Sequence, residues 1–522
     1  MPQIDPTAPN LRSETPVPRM TFNRPALAAV ALLALVGCSV RPQPLTPEEN
    51  VTRANADRDV ITKNYTPLEG PLTLSGAIAR ALKYNYDSQL SQAEIALQEK
   101  QLDLAMSQML PRLATAAGYN WRSIPNAAQS VDVITRQRTP GWSYSEEPDH
   151  GVADITFSWN VLDLGVSYFQ AKQQGWRALI AVERRRKVID NIVKTTAQAY
   201  WRAAAADETL PKLDPMLVEA RRSLVTSQKV GQQSLQSPLA LLDFQQNMLI
   251  VLAELEKMRN DMTAAQIELA TLINVPQGSK VIFASTPADM SVNAKIDNHK
   301  LEDIGLALRP EMRIESYQQR IDRQDVYKEI VKMMPGVGVL GSLNYDSNDL
   351  LYKKTWGELG VRATFNLFNL VQGPRAIAVA EKAVEIDEQR RVALAVALIT
   401  QINLSIQEYA NAIDGYKTAQ EIDKIGQQMS RVADNVTAAG VQTEADRVRR
   451  QLTVLTTRVN RDKAVARLHG SLTGVYSAVG IDLVPAGADL NDLPTLTKQV
   501  ETAISDWQAG RLPELPTVTA AN

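Results

Sequence analysis

The chain contains an internal duplication, and no other feature constrains its fold as strongly. Met109-Leu110-Pro111 ends a helical stretch and leads into residues of alternating polarity, and Met333-Met334-Pro335 does the same. Trp159-Asn160-Val161-Leu162 is likewise similar to Phe365-Asn366-Leu367-Phe368. The two prolines are 224 residues apart and the two asparagines 206 apart. Since a unit of roughly two hundred residues is too long for a solenoid repeat, we expect a whole architecture to occur twice.

Each repeat contains two short segments in which polarity alternates from one residue to the next. In the second segment, Ile155, Phe157 and Trp159 alternate with polar residues, and the other three segments span 113–121, 337–345 and 359–367. Alternation over about ten residues with aromatic residues near the ends is typical of transmembrane β-strands, although soluble sandwich sheets also show it. Four strands can neither close a barrel nor bury a sandwich. We therefore expect other copies of the chain to supply the missing strands.

Between these segments, apolar residues recur at heptad spacing. One series runs in steps of seven from Leu241 to Leu269, with a partner series from Phe244 to Leu272, and a similar pair begins at Val392 in the second repeat. Spacing held over four or five heptads is typical of coiled coils, and a helix of about forty residues is about 60 Å long. Turn signals are expected to interrupt the helices around 205–240 and 415–442, and the first of these ranges contains Pro211 and Pro215.

The single cysteine, Cys38, follows a segment that resembles a bacterial signal peptide. Residues 20–37 read MTFNRPALAAVALLALVG, and Leu35-Val36-Gly37-Cys38 resembles a lipobox. The resemblance implies cleavage before Cys38 and its acylation, and Ser39 favours sorting to the outer membrane. The alternative is a buried free cysteine after a chance apolar run. Translation could start at Met1 or at Met20. Outside the predicted signal peptide, we expect no helix that is long and apolar enough to cross a membrane.

Composition excludes several classes of function. Lys and Arg (56) nearly balance Asp and Glu (58), so charge gives no reason to expect binding to nucleic acid. One cysteine and three histidines exclude an internal disulfide framework and leave almost no basis for a zinc site. The sequence shows no phosphate-binding loop, zincin helix or nucleophile elbow. We therefore expect no enzyme activity, cofactor or metal.

These features predict five regions along the chain. Residues 1–37 are expected to form the signal peptide and its upstream start, 38–71 a lipid-anchored extended segment, 72–285 the first repeat, 286–483 the second repeat, and 484–522 a Pro-rich tail that lies along the surface or is disordered.

The order helix, strand, strand, helix, helix occurs twice after the lipobox. This arrangement resembles the lipoprotein branch of the TolC family of bacterial outer-membrane channels. The resemblance covers about residues 72–480 and implies a mainly α fold with β: a homotrimer whose four strands per chain form a 12-stranded antiparallel barrel, continued by long coiled-coil helices as a barrel through the periplasm. It also implies a periplasmic adaptor and an inner-membrane pump as partners, in addition to outer membrane lipid.

The resemblance extends to three groups of residues. The predicted adaptor contacts at the helix-hairpin tips are Val230, Gly231, Ala439, Gly440, Val441 and Thr443, although a glycine there is equally well explained as a helix cap. The predicted barrel lumen is Asp154, Thr156, Ser158, Asn160, Arg362, Thr364 and Asn366. The predicted periplasmic gate is Asp243, Asp446, Arg447 and Arg449, and an ordinary solvated helix face remains the alternative. Arg449 stands where the family often has a second aspartate.

The sequence therefore predicts a passive channel that gives efflux substrates an exit across the periplasm and outer membrane. The same channel could instead serve type I protein secretion, because the pump and adaptor select the cargo. A lipid-anchored coiled-coil rod is a further alternative, but it leaves the four strands unexplained.

Overall fold

The structure, a computed structural model, describes residues 42–68, 70–231, 238–276, 278–284, 297–438, 444–485 and 487–515. Cys38 and the predicted signal peptide lie outside these residues. The chain divides into two compact units, Met1–Lys63 and Asn64–Asn522.

The described part of the first unit contains a helix, α1, over Pro47–Lys63. The extended conformation predicted for 38–71 is therefore wrong over these seventeen residues. Thr46 and Glu49 form a capping box: the Thr46 N–H donates to the Glu49 carboxylate (2.8 Å) and the Glu49 N–H donates to Thr46 Oγ1 (3.2 Å). Pro47 is the first helical residue, where a missing N–H costs nothing, so this proline starts the helix.

The second unit presents the same series of elements twice, with nearly equal lengths. The first series is α2 (Leu74–Tyr84), α3 (Tyr86–Ser107), β1 (Arg112–Trp121), β2 (Asp149–Asn160), α4 (Val161–Gly231) and α5 (Pro238–Leu272). The second is α6 (Asn298–Leu308), α7 (Pro310–Lys332), β3 (Gly336–Asp346), β4 (Thr355–Thr364), α8 (Asn369–Ala438) and α9 (Glu444–Val479). The fold class expected from the sequence is confirmed, while the division at residue 285 stays a prediction.

The four strands form one antiparallel sheet in the order β1-β2-β3-β4. The central pair joins the two repeats, since β2 pairs with β3 from Val152 opposite Asp346 to Asn160 opposite Gly338. All residues of β1 and β4 are exposed, as expected of strands that carry the two unpaired edges.

Two helices are longer than the sequence predicts. α4 has 71 residues and α8 has 70, about 105 Å each at 1.5 Å per residue. The turns expected around Pro211 and Pro215 do not occur, because both prolines lie inside α4. Both prolines occupy exposed positions, so water can solvate the carbonyl groups that they leave unpaired. Leu213, between the two prolines, and Leu217, two residues after the second, are buried.

The heptad residues of α5 pack as predicted. Met248 and Leu255 are fully buried, and Met258 and Met262 are nearly so, against buried residues of α4 and α9 such as Leu213 and Leu452. In α8, by contrast, Val392 is 57% exposed within the single chain. Within the described residues, Asn369–Val432 of α8 is long and apolar enough to span a membrane by length and composition alone, which the sequence reading did not expect. Within the single chain, only 17% of the 18-residue apolar stretch that meets this criterion is buried.

The C-terminal segment also differs from expectation. Residues 484–522 contain a helix, α10, over Leu493–Gln508, which begins at the cap Asp492 and buries Leu496, Val500 and Trp507. The Trp507 ring stacks on Tyr476 of α9 at 4.5 Å between centroids. Pro494 lies in the first turn of the helix, where proline is tolerated, so the described part of this tail belongs to the core.

Candidate functional site

The register of the sheet produces one polar face that runs across all four strands. Asp154 lies opposite Ala116 on β1 and Asn344 on β3. Thr156 lies opposite Ser342, which in turn pairs with Glu358 on β4. Because directly opposed residues of antiparallel strands project to the same side, these rows form a continuous face.

Six of the seven predicted lumen residues share this face: Asp154, Thr156, Ser158, Asn160, Arg362 and Thr364. Asn366 does not, because β4 ends at Thr364. Asn366 Oδ1 instead accepts the N–H of Phe368 at 3.1 Å, as Asn160 Oδ1 accepts the N–H of Leu162 at 2.9 Å. These equivalent asparagines close the turn by which each repeat passes from strand to helix.

The sequence analysis missed seven further polar residues on the same face: Arg112, Asn120, His150, Ser342, Asn344, Asp346 and Glu358. The signal was present, because the apolar residues of the third segment occupy odd positions and leave the even ones for the opposite side. Trp356 also lies on the polar face, and its indole N–H donates to Glu358 at 2.7 Å.

The opposite face of the sheet is apolar and exposed. Leu343 is 66% exposed, Leu359 84% and Val361 74%. Tyr119 lies toward the loop end of the sheet and Trp159 toward the helix end, both on this face. Strands of ten to twelve residues extend about 33–40 Å and, when tilted, match the apolar band of an outer-membrane barrel.

The two strand connections at the loop end are joined by a buried side chain. Asn348, only 2% exposed, accepts the N–H of Glu147 at 3.2 Å and donates to the carbonyl of Ser145 at 3.0 Å. Gly151 N–H donates to Ser347 Oγ at 2.7 Å. Asn348 thus fixes the β3–β4 loop against the long connection between β1 and β2.

At the other end, the structure describes few of the predicted tip and gate side chains. Val230 and Gly231 lie in the last turn of α4, and the Val230 side chain is outside the described residues. Asp243 is exposed on α5. Asp446, Arg447 and Arg449 belong to the first turns of α9, with side chains outside the described residues. Ala439, Gly440, Val441 and Thr443 lie wholly outside them.

A charge network that the sequence analysis did not identify joins three of the long helices. Arg461 on α9 contacts Asp423 on α8 at 2.9 Å and its neighbour Asp462 at 2.6 Å. Thr209 on α4 donates to Asp462 at 3.0 Å. Burial raises the pKa of Asp462, and the Arg461 guanidinium and the Thr209 hydroxyl oppose that shift. Sequence alone could not have found this network, because its members are charged residues at unremarkable helical positions.

Comparison with known proteins agrees with this architecture. Residues 77–275 match the family model of outer membrane efflux proteins. The fold is similar to the CmeC outer membrane channel of Campylobacter jejuni, at 14% identity and a TM-score of 0.61 over 82% of this chain and 89% of that one. It is also similar to the outer membrane protein VceC of Vibrio cholerae, at 14% identity and a TM-score of 0.59 over 78% and 96%.

A third solved structure, the MtrE outer membrane channel of Neisseria gonorrhoeae, is similar at 15% identity and a TM-score of 0.56 over 78% of this chain and 88% of that one. No curated protein sequence matches this chain. The resemblance to the outer-membrane channel family is confirmed, and that family consists of passive channels, not enzymes.

Proposed function

We propose that this chain is an outer-membrane efflux channel, which the family match over residues 77–275 and the similar solved structures support. We further propose that it serves as the exit duct of a tripartite system with an inner-membrane pump and a periplasmic adaptor. Its role is passive, because the pump supplies the energy and the duct supplies a water-filled path. The sheet supports this proposal best, since it has a polar face, an apolar face and two open edges.

The open edges support closure with further copies of the chain. With four strands per sheet, β1 and β4 run in opposite directions, so β4 of one copy can pair antiparallel with β1 of the next. Each copy thus continues the alternation, and a closed ring has no unpaired edge. Three copies, the number that the family resemblance implies, give twelve strands. The polar face then lines the lumen and the apolar face contacts lipid.

The helices also carry surfaces that a single chain leaves uncovered. Leu90, Leu97 and Leu104 repeat every seven residues along α3 and are 60%, 55% and 62% exposed. On α8, Val379 and Ile386 repeat at the same spacing and are 72% and 55% exposed. Apolar heptad stripes on long helices are typical of helices that pack against partner helices. These stripes fit the sides by which three copies form a helical barrel.

The proposed periplasmic contacts remain those of the sequence analysis. We assign adaptor contact to the hairpin tips at Val230–Gly231 and 439–443. We assign the resting closure to Asp243, Asp446, Arg447 and Arg449, where carboxylates that meet around a three-fold axis repel one another unless a neighbouring arginine bridges them.

Lipid anchoring at Cys38 is a separate part of the proposal, supported by the lipobox alone. Cells grown with a clickable palmitate analogue are expected to label the chain, and the Cys38→Ser variant is expected to lose the label while its barrel still forms. Equal labelling of both chains would exclude Cys38 as the acylated residue.

The experiment that tests the channel is a single-channel recording from detergent-purified protein whose mass has been measured. We expect a stable trimer that gives discrete conductance steps in a planar bilayer. Monomers that never conduct would show that the strands do not close, and the lipid-anchored rod would then explain the chain better. Type I protein secretion is the alternative role of a conducting trimer, and identification of the co-purifying pump distinguishes the two.

A further inference from the structure

A cleft of about 560 Å³ lies where α4, α5, α8 and α9 meet, and none of its lining residues belongs to a strand. Its charged lining comes from all four helices: Lys194, Arg202, Asp261, Glu408, Lys463 and Arg467. The rest of its wall includes the apolar side chains of Met262, Ala205 and Ala265. The cleft therefore combines a charged rim with apolar surface, which suits an amphipathic ligand.

The charges of this lining are incompletely paired. Lys463 contacts Asp261 at 3.5 Å, and Arg202 contacts Glu268 at 2.8 Å. The side chains of Lys194, Arg467 and Glu408 form no ion pair or hydrogen bond with any other residue that the structure describes. Two cations without a partner thus face the cleft together with one carboxylate, and this excess of positive charge favours an anion.

The cleft opens on the side of α4 that faces away from the core. Tyr200 and Ala197 of α4 are buried in the core formed with α2 and α10. Lys194, Gln198 and Arg202 follow one another at spacings of four and lie on the opposite side of the same helix. We place this side of α4 toward the interior of the proposed helical barrel, with the α2 and α10 packing on its outer side.

We propose that this cleft is a binding site for an organic anion with an apolar body, such as an aromatic sulfonate or an amphipathic carboxylate, on the path of exported molecules. Lys194 and Arg467 bind the acidic group, and Met262 and the alanines contact the apolar body. The inference rests on the proposed function for its place inside the channel, but the binding itself does not depend on conduction.

Fluorescence anisotropy of pyranine, a soluble pyrene trisulfonate, tests this site on the purified full-length trimer in a nonionic detergent at low ionic strength. We expect saturable binding that weakens about tenfold or more in the Lys194→Gln/Arg467→Gln double variant. Glu408→Gln removes the unpaired carboxylate and is expected to tighten binding, which a damaged fold could not produce. Lys417→Gln, which neutralises an exposed cation of α8 outside the cleft, is the control and should bind as the unmodified chain does.

Equal affinity of the double variant and the control, or no tightening by Glu408→Gln, would overturn the proposed site. A trimer that conducts but never binds pyranine would contradict this inference alone. A protein that binds pyranine through Lys194 and Arg467 but never conducts would contradict the proposed channel and leave the site standing.

Discussion

Arg461 on α9 reaches across to Asp423 on α8, and the two residues form a 2.9 Å ion pair in which the carboxylate is only 3% exposed. The same guanidinium contacts Asp462, so one cation balances two buried carboxylates. Arg461→Ala leaves both carboxylates without a cation to balance them, and we expect it to lower the free energy of unfolding by about 3 kcal/mol. Thermal unfolding of the detergent-solubilised protein measures the effect.

The matched control is Arg221→Ala, which breaks an ion pair with Glu256 in which both side chains are largely exposed. We expect it to cost at most about 1 kcal/mol. If both variants melt at the same temperature, the Arg461 network does not hold the helices together. A raised resting conductance of Arg461→Ala would further link the network to channel opening.

The Asn348 contacts predict a protease-sensitive variant. Asn348→Ala removes the side chain that joins the two loops, so the connection between β1 and β2 should open more often. We expect trypsin to cleave after Arg136 or Arg138 several times faster in this variant. Tyr352→Ala changes a residue of the same loop that is 95% exposed and should leave the cleavage rate unchanged. Equal rates for the two variants would show that Asn348 does not restrain the connection.

Asp190 on α4 predicts a pH dependence of stability. Burial raises its pKa to about 7, and the Asp482 carboxylate adds to the shift. Since an unfolded aspartate has a pKa of about 3.9, the folded chain binds more protons between about pH 4 and pH 7. This residue's contribution to stability is therefore full below that window and is lost as the pH rises through 7.

Melting curves of Asp190→Asn between pH 5 and pH 8 check this expectation. Asparagine does not ionise, so the melting temperature of the variant should rise by a few degrees relative to that of the unmodified protein as the pH rises to 8. Asp207→Asn, at an exposed position of the same helix, should show no such gain. Parallel melting curves for all three proteins would mean that Asp190 is not the titrating group.

Two neighbouring residues of β2 test which face of the sheet contacts lipid. Ile155 is 49% exposed on the apolar face, and Thr156 lies on the polar face. A lysine at a lipid-facing position near the membrane centre costs about 2–4 kcal/mol. We therefore expect Ile155→Lys to reduce the amount of assembled trimer, whereas Thr156→Lys should assemble normally and alter conductance or ion selectivity. The reverse result would show that the polar face contacts lipid and that the apolar face lines the lumen.

Much of the fold follows from local patterns in the sequence. Alternation located all four strands to within a few residues, because a half-exposed strand must change polarity at every position. Heptads located α5, since Met248 and Leu255 face the core as their spacing requires. The duplication predicted the second half from the first.

The errors in the N-terminal segment, in the C-terminal tail and in α4 share a physical cause, which is that a proline has different effects at different positions of a helix. Pro47 and Pro494 lie in first turns, where they are favourable. Proline-rich composition instead suggested an extended segment around Pro47 and a surface or disordered tail around Pro494. Pro211 and Pro215 lie inside α4 but on its exposed side, where their cost is small compared with the packing of a 71-residue helix. A sequence pattern shows that a proline is present, but it does not show which turn or which side of the helix the proline occupies.

The candidate site was less predictable than the fold. The polar face could be predicted because register follows alternation, and Asn366 lies off this face because β4 ends two residues earlier. The Arg461 network and the Lys194 cleft unite residues more than two hundred positions apart in the chain. No local pattern connects such residues, so only the packed helices reveal them.

The two open edges of the sheet have a genetic consequence. In the proposed ring of three copies, a subunit with a β4 that cannot pair would still offer a normal β1 edge to its neighbour, join the ring and leave it unclosed. If normal and defective subunits were made in equal amounts and mixed freely, only about one trimer in eight would be free of defective copies. A β4 mutation of this kind should therefore be dominant, and sensitivity to exported compounds should rise even in cells that retain a normal gene.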